Sequence, residues 1–202
     1  DVLLSAARTE SIEARVAALE YGGFEAKVID VESYAVSRTF NLCLPMLPND
    51  AKDKMVAIVD IGANMTLFSV SNAGKNVYSR DQIFGGEQYT RSIISYYNQS
   101  FEEAEAAKVN GDLPPNYYTE VLSPFHTILV QQVRRAIQIF LTSSGYEKVD
   151  YLVISGGTAL LDVTQELLTA ELAIYTVIAD PFVHMGLSAN WDPNKLQLVA
   201  PQ

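Results

Sequence analysis

Three β-rich runs follow one another between residues 55 and 83, and they constrain the fold more than any other part of the sequence. We interpret residues 55–61, 65–71 and 75–83 as strands, with Asn72-Ala73-Gly74 as the turn between the last two. Strands joined by turns this short pair in an antiparallel sense. The segment therefore predicts a three-stranded meander.

Helices follow the meander. Gly85-Gly86 opens one that runs to about Tyr97, and a shorter helix is predicted at residues 101–108, before a break at residues 111–115. A long amphipathic helix comes next, because apolar residues recur at spacings of three or four. Its apolar positions are Leu122, Phe125, Leu129, Val133, Ala136 and Phe140.

A strand–helix–strand unit completes this part of the chain. Residues 149–155 and 173–178 are predicted strands, with Gly156-Gly157 and a helix at about residues 159–169 between them. The order βββα, helical insertion, βαβ is typical of an α/β fold.

Residues 1–40 also alternate strands and helices, as in an α/β layer. The four predicted elements are a strand at residues 2–7, a helix capped by Thr9 and ended by Gly22-Gly23, a strand at residues 26–31 and a helix capped by Ser33. Residues 44–54 form a connector rich in proline and polar residues, which we take as the candidate domain boundary.

The composition narrows the possible partners. Acidic residues outnumber basic ones by 24 to 14, and the net charge of -10 argues against direct binding to nucleic acid or to an anionic membrane surface. No apolar run approaches the ~20 residues that a membrane-spanning helix needs. The single cysteine, Cys43, excludes an internal disulfide and favours a cytoplasmic protein. ATP stays open as a ligand, since backbone amides and a metal ion can hold phosphates.

The turn at residues 60–66 is the first candidate site. Asp60 ends a predicted strand, where it could hold magnesium through water, and Gly62 would let the backbone approach phosphate oxygens closely. Asn64 and Thr66 offer side-chain hydrogen bonds to the same ligand. The alternative is an ordinary hairpin in which Asp, Gly and Asn are only turn formers.

Two further candidates lie downstream. Gly156-Gly157 leads from a buried strand towards a helix N-terminus, and is either a surface for a base or ribose or a turn that needs positive φ. Gly85-Gly86 leaves the same two interpretations open. Glu105 and Lys108 lie one helical turn apart, so they either face one cleft or form a surface ion pair.

Together and in this order, the motifs resemble those of the actin-like ATPase superfamily. Residues 60–66 look like its second phosphate loop and Gly156-Gly157 like its adenosine motif. The segment that carries Glu105 and Lys108 resembles the helix that contacts ribose and adenine in bacterial members. The resemblance implies an α/β fold of the actin-like, or ribonuclease H-like, type.

The chain is more closely similar to the PilM family of type IV pilus assembly, which is related to the cell-division protein FtsA. Four segments carry this closer resemblance, at residues 2–8, 28–35, 84–90 and 179–182. It implies an ATP-binding scaffold that is at most a slow ATPase, with ATP and magnesium between two domains. By position, the residues implied to contact the nucleotide are Asp60, Gly62, Asn64, Thr66, Glu105, Lys108, Gly156 and Gly157, with Asp60 also serving magnesium.

The same resemblance implies protein partners. The cytoplasmic tail of PilN would dock on the first domain and connect the protein to PilO and PilP at the inner membrane. The expected location is therefore cytoplasmic and peripheral at that membrane, without insertion into it. Self-association is a further option.

Two departures from the family pattern predict an internal fragment. The chain has one phosphate loop where the family has two, and it lacks the final helix that returns to the first domain. Residues 1–48 would be a remnant of the first domain with its linking helix. Residues 49–202 would be the second domain, with a helical insertion at about residues 99–145. We expect such a fragment to bind ATP weakly or not at all.

Two other functions of the superfold stay open. A small-molecule kinase would need a carboxylate base beside a polar pocket, and we identify no such residue. An FtsA-like filament-forming division protein would carry a basic amphipathic membrane helix, and we find none in the sequence. We interpret His126, His184 and Cys43 as core or surface residues and predict no catalytic residue.

Overall fold

A computed structural model of the protein describes residues 6–49, 51–186 and 199–201. Its centre is a five-stranded mixed sheet in the order β3-β2-β1-β4-β5. The strands are β1 Met55–Ile61, β2 Thr66–Asn72, β3 Lys75–Gln82, β4 Tyr151–Ser155 and β5 Tyr175–Ile178. The first three pair antiparallel, whereas β4 runs parallel to β1 and β5 parallel to β4. The predicted meander and its βαβ continuation are confirmed.

The described residues contain six α-helices. They are α1 Thr9–Tyr21, α2 Glu32–Cys43, α3 Gly86–Tyr97, α4 Phe101–Asn110, α5 Ser123–Ser144 and α6 Thr164–Leu172. Short 3₁₀ turns lie at Leu44–Met46, Ala51–Asp53 and Gly157–Leu160, and one π-helical turn at Tyr118–Leu122 leads into α5. None of the helices within these described stretches is long and apolar enough to cross a membrane.

The core has two parts because side chains along a strand alternate between the faces of the sheet. One face packs against α3 and α5, and all six apolar positions predicted for the long helix are buried. On the other face, Phe40 and Cys43 of α2 pack with Val56, Ile58 and Val153. The helix α2 thus belongs to the same packed body as the sheet.

The turn between β2 and β3 has a backbone conformation that fits the tight turn predicted from its sequence. Ala73 and Gly74 both have positive φ, at 50° and 74°. Two central residues with positive φ give the hairpin a twist that matches its strands. The β2–β3 register is therefore set locally.

Three predictions within residues 1–40 are wrong: one strand and two helix caps. Residues 26–31 do not form a strand, because a strand requires a partner and no described residue pairs with them. Thr9 and Ser33 are not caps: Arg8 and Val31 occupy those positions, and neither makes a side-chain cap bond. The strand predicted at residues 2–7 falls mostly outside the described residues.

The helix predicted at residues 159–169 is also placed wrongly. A 3₁₀ turn at Gly157–Leu160 comes first, and α6 begins only at Thr164. Between them Val163 adopts the left-handed conformation at φ 56°. A β-branched residue rarely takes this conformation, so the sequence could not predict the interruption.

Candidate functional site

A cavity of about 660 Å³ opens at the ends of β1 and β4, between α3, α4 and the 3₁₀ turn. This volume lies in the range of small-molecule and cofactor sites. Its lining residues are Gly62, Ala63, Asn64, Gly86, Glu87, Phe101, Glu105, Lys108, Val109, Gly157, Thr158, Leu160 and Leu161.

The loop after β1 forms one wall of this cavity. Gly62 donates its N–H to the carbonyl of Met65 at 3.0 Å, which closes the loop. Among the described residues there is no backbone acceptor for the N–H of Ala63 or Asn64. Successive free amides in a tight turn form a concavity suited to an anion.

The start of α3 packs directly against this loop. Gly86 and Glu87 donate their N–H groups to the carbonyls of Gly62 and Ala63, at 3.0 and 2.8 Å. These two amides of the helix N-terminus are therefore already used within the protein. For Gly85-Gly86 the geometry favours the structural interpretation, in which the glycines allow helix and loop to approach.

The helix α4 supplies the opposite wall, and its sequence fixes where it begins. Ser100 accepts a hydrogen bond from the N–H of Glu103, while the Glu103 carboxylate accepts one from the N–H of Ser100. This reciprocal capping box defines the first turn of the helix. Gly111, at φ 73°, ends it.

Glu105 and Lys108 meet on the inner side of α4. The Lys108 ammonium lies 2.6 Å from Glu105 Oε1, and both side chains line the cavity. Burial of Glu105 opposes its ionisation, but the hydrogen bonds from Lys108 and Thr90 and the charge of Lys108 outweigh it and hold its pKa below the ordinary value. The Glu105 carboxylate therefore stays ionised at neutral pH and faces the cavity beside the Lys108 side chain.

The two glycines after β4 have different roles. Gly156 has φ 83°, and a Cβ there would lie 2.4 Å from the carbonyl oxygen of Ile61, so only glycine fits. It lies behind the cavity wall and donates its N–H to Pro201. Gly157 lines the cavity, and a Cβ on it would meet nothing within 4 Å.

Asp60 lies apart from the main cavity. It lines a second cavity of about 230 Å³ beside α2, where it accepts a hydrogen bond from Ser155 Oγ at 3.1 Å. Burial raises its pKa above the ordinary value, and the bond from Ser155 offsets only part of this. No group of three potential metal-binding side chains occurs in the described ranges. A metal ion here would therefore be held by Asp60 together with water or oxygen atoms of a bound nucleotide.

Thr66 is buried and ties the sheet to α3. Its hydroxyl donates to the carbonyl of Phe84 at 2.8 Å. The structure thus brings Gly62, Asn64, Glu105, Lys108 and Gly157 into one cavity and places Asp60, Thr66 and Gly156 behind or beside it. Contacts of all eight with a nucleotide stay predictions.

Several lining residues escaped the sequence analysis. Phe101 and Val109 are exposed by 51% and 78%, and they share one face of α4 with the charged pair. Phe101 lies four residues before Glu105 and Val109 four residues after it, and this helical spacing predicts that all three share one face. Leu160 and Leu161 gave no such signal, because a continuous helix was expected there.

Comparison with known proteins identifies the family. The family model described as type IV pilus assembly protein PilM matches residues 1–202. The chain belongs to the PilM family. Among curated relatives of this PilM-family chain, the cell division protein FtsA of Enterococcus faecalis is 24% identical over 168 residues, covering 70% of the chain and 37% of FtsA.

Solved structures show the fold of this PilM-family chain. A chain of a PilM–PilN type IV pilus biogenesis complex superposes with a TM-score of 0.80 at 22% identity, covering 96% of this chain and 55% of that one. MreB5 of Spiroplasma citri bound to ADP gives 0.56 at 17% identity, covering 88% and 62%. The fold is therefore actin-like, as expected. The chain spans about half the length of the matched chain in that complex and about a third of FtsA.

Proposed function

We propose that the main cavity binds the nucleoside of ATP and that the protein is an actin-like, ATP-binding scaffold of type IV pilus assembly. One observation carries the proposal. The amides of the loop after β1, the Glu105–Lys108 pair and Gly157 all line a single cavity of about 660 Å³. Such a cavity can receive an anion, a ribose and a base together.

The charged pair suits the two hydroxyls of a ribose. All of the described contacts to the Glu105 carboxylate converge on Oε1, so Oε2 is available to accept from a ligand hydroxyl. Lys108 uses two of its three N–H donors within the protein and retains one for a hydroxyl oxygen. A vicinal diol offers both a donor and an acceptor, which matches this arrangement.

Apolar side chains suit the base. Val109, Leu160 and Leu161 line the cavity beside Lys108. A planar base between such walls would bury its faces while its ribose meets the charged pair.

The phosphates would extend towards the free amides of Ala63 and Asn64. Mg²⁺ is commonly held by one or two carboxylates together with substrate phosphates, so a single carboxylate such as Asp60 is compatible with it through water. The magnesium would neutralise phosphate charge. The chain's own contribution would be the loop amides that orient the phosphates.

A nucleotide held here would support a scaffold role. The family match and the likeness to a chain of a PilM–PilN complex support a PilN-like cytoplasmic tail as the partner. ATP would change affinity for that tail only to the extent that it binds one arrangement of the intact protein better than another. PilO and PilP would connect through PilN.

Calorimetric titration of ATP into the intact protein tests the proposal. Wild type should bind with magnesium present, and Lys108→Met should weaken binding on the order of tenfold, the cost of one hydrogen bond to a charged group. Lys148→Met is the matched control, since Lys148 pairs with Asp150 on the surface and does not line the cavity. Equal affinity of the Lys108 variant and wild type would refute the proposed site. Equal affinity for the PilN tail with and without ATP would refute an effect of ATP on partner binding.

A further inference from the structure

Thr90 connects α3 to the charged pair on α4. It is fully buried, with no exposed surface, and it does not line the cavity. Its hydroxyl lies 2.5 Å from Glu105 Oε1, 2.9 Å from Lys108 Nζ and 3.3 Å from the carbonyl of Gly86. One buried hydroxyl therefore contacts both charges.

The hydrogen-bonding capacity of a hydroxyl fixes the roles of these contacts. Thr90 has one proton to donate, and the carboxylate of Glu105 is a stronger acceptor than the neutral carbonyl of Gly86, so the proton goes to Oε1. The ammonium of Lys108 donates to the same oxygen of Thr90. The carbonyl oxygen of Gly86, one turn back in the same helix, lies farthest from the hydroxyl and receives no proton from it in this arrangement. The Thr90 hydroxyl thus forms its hydrogen bonds with α4 rather than within its own helix.

We propose that Thr90 is a positioning residue for ligand hydroxyls, acting by fixing Oε1 of Glu105 and the ammonium of Lys108 so that Oε2 and the third N–H of the lysine face the ligand. This inference rests on the proposed nucleotide site and extends it to a residue that does not touch the ligand.

Thr90 restricts the rotamer freedom of both charged side chains. Glutamate and lysine are among the side chains that lose the most rotamer entropy when they are fixed. In an exposed pair at spacing i, i+3 the ligand would have to supply that ordering. Here a buried partner on a second helix has already fixed both groups, so the diol meets a preorganised pair.

The test measures affinities of the intact protein for ATP, 2′-deoxy-ATP and 3′-deoxy-ATP. Wild type should prefer ATP. Thr90→Val, which exchanges the hydroxyl for a methyl group of similar size, should lower ATP affinity on the order of 5- to 10-fold and reduce the preference for ATP over the deoxynucleotides. Thr90→Ser, which retains the hydroxyl, should restore both.

Thr169→Val is the matched control. That threonine is also helical, is half-buried, and donates to a carbonyl one turn back, but it makes no contact with Glu105 or Lys108. It should leave affinity and ribose preference unchanged. Thermal unfolding of every variant checks folding, and Thr90→Ala replaces Thr90→Val if valine does not fit.

The outcomes separate the two proposals. Absence of ATP binding by wild type would refute the nucleotide site and this inference with it. Binding by wild type with no change in Thr90→Val would overturn the role of Thr90 alone. Equal loss for all three nucleotides, with the ribose preference retained, would also overturn it, because that pattern indicates a general structural effect.

Discussion

A Cβ atom at Gly85 would lie 2.3 Å from the carbonyl oxygen of Ala63, a separation that real Cβ contacts essentially never show. The contact joins the loop after β1 to the start of α3, where the amides of residues 86 and 87 bond the same loop. The close approach therefore depends on the absence of a side chain at position 85.

Gly85→Ala should destabilise the fold. The methyl group would meet backbone, which cannot rotate away, so we expect a loss of about 1–3 kcal/mol in the free energy of unfolding, as for other overpacked sites. Gly157→Ala is the control, because a Cβ there meets nothing within 4 Å and φ is not positive. Urea denaturation measures both. Equal stability of the two variants would contradict the close contact.

Asp60→Asn should stabilise the protein at pH 7. Burial raises the pKa of Asp60 in the folded state, so the folded protein loses stability as pH rises through that pKa, relative to an uncharged residue. Below the unfolded pKa of about 3.9 the carboxyl is protonated in both states and the advantage of asparagine should vanish. The asparagine oxygen can still accept from Ser155. Melting temperatures of both proteins between about pH 3 and pH 7 test this, and a gap that stays constant would contradict it.

Protonation of His126 should weaken the fold in acid. Burial lowers the pKa of His126, whose Nε2 bonds Thr164 at 2.9 Å, so the unfolded chain binds the proton more readily. Stability should therefore fall as pH drops below about 6.5, the ordinary value for histidine. His126→Gln should lose less over this window than wild type does. The exposed His184→Gln is the control and should follow wild type.

Val109→Asp should reduce nucleotide affinity without unfolding the protein. Val109 is 78% exposed and lines the cavity, so a carboxylate there costs little stability but removes an apolar side chain from the proposed base site. We expect ATP affinity to fall on the order of tenfold or more. Ile83→Asp, at an even more exposed apolar residue outside the cavity lining, should leave affinity unchanged. A wild-type titration curve for Val109→Asp would contradict the proposed base wall.

The sheet could be predicted from the sequence because short stretches of residues determine its strands and its turn. The turn at Ala73-Gly74 and the alternation of the flanking strands define the meander, and the apolar spacing from Leu122 to Phe140 defines α5. Residues 26–31 have comparable local preference but no described strand pairs with them. Strand propensity depends on the residues of the segment itself, whereas pairing depends on a second strand elsewhere in the fold.

The site was predictable only in part, for a similar reason. Spacing places Glu105 and Lys108 on one face of a helix, but it does not show that Thr90 on α3 joins them. That contact depends on how two helices pack. The left-handed conformation of Val163, which separates the 3₁₀ turn from α6 and so shapes Leu160 and Leu161, likewise depends on tertiary context.

A crystal structure of the intact protein with a non-hydrolysable ATP analogue and magnesium tests the central claim most directly. The nucleoside should lie between α4 and residues 157–161, with its ribose hydroxyls about 2.7–3.2 Å from Glu105 Oε2 and Lys108 Nζ. The phosphates should approach the amides of Ala63 and Asn64. Nucleotide bound elsewhere, with this cavity empty and the Glu105–Lys108 pair free of ligand, would contradict the account.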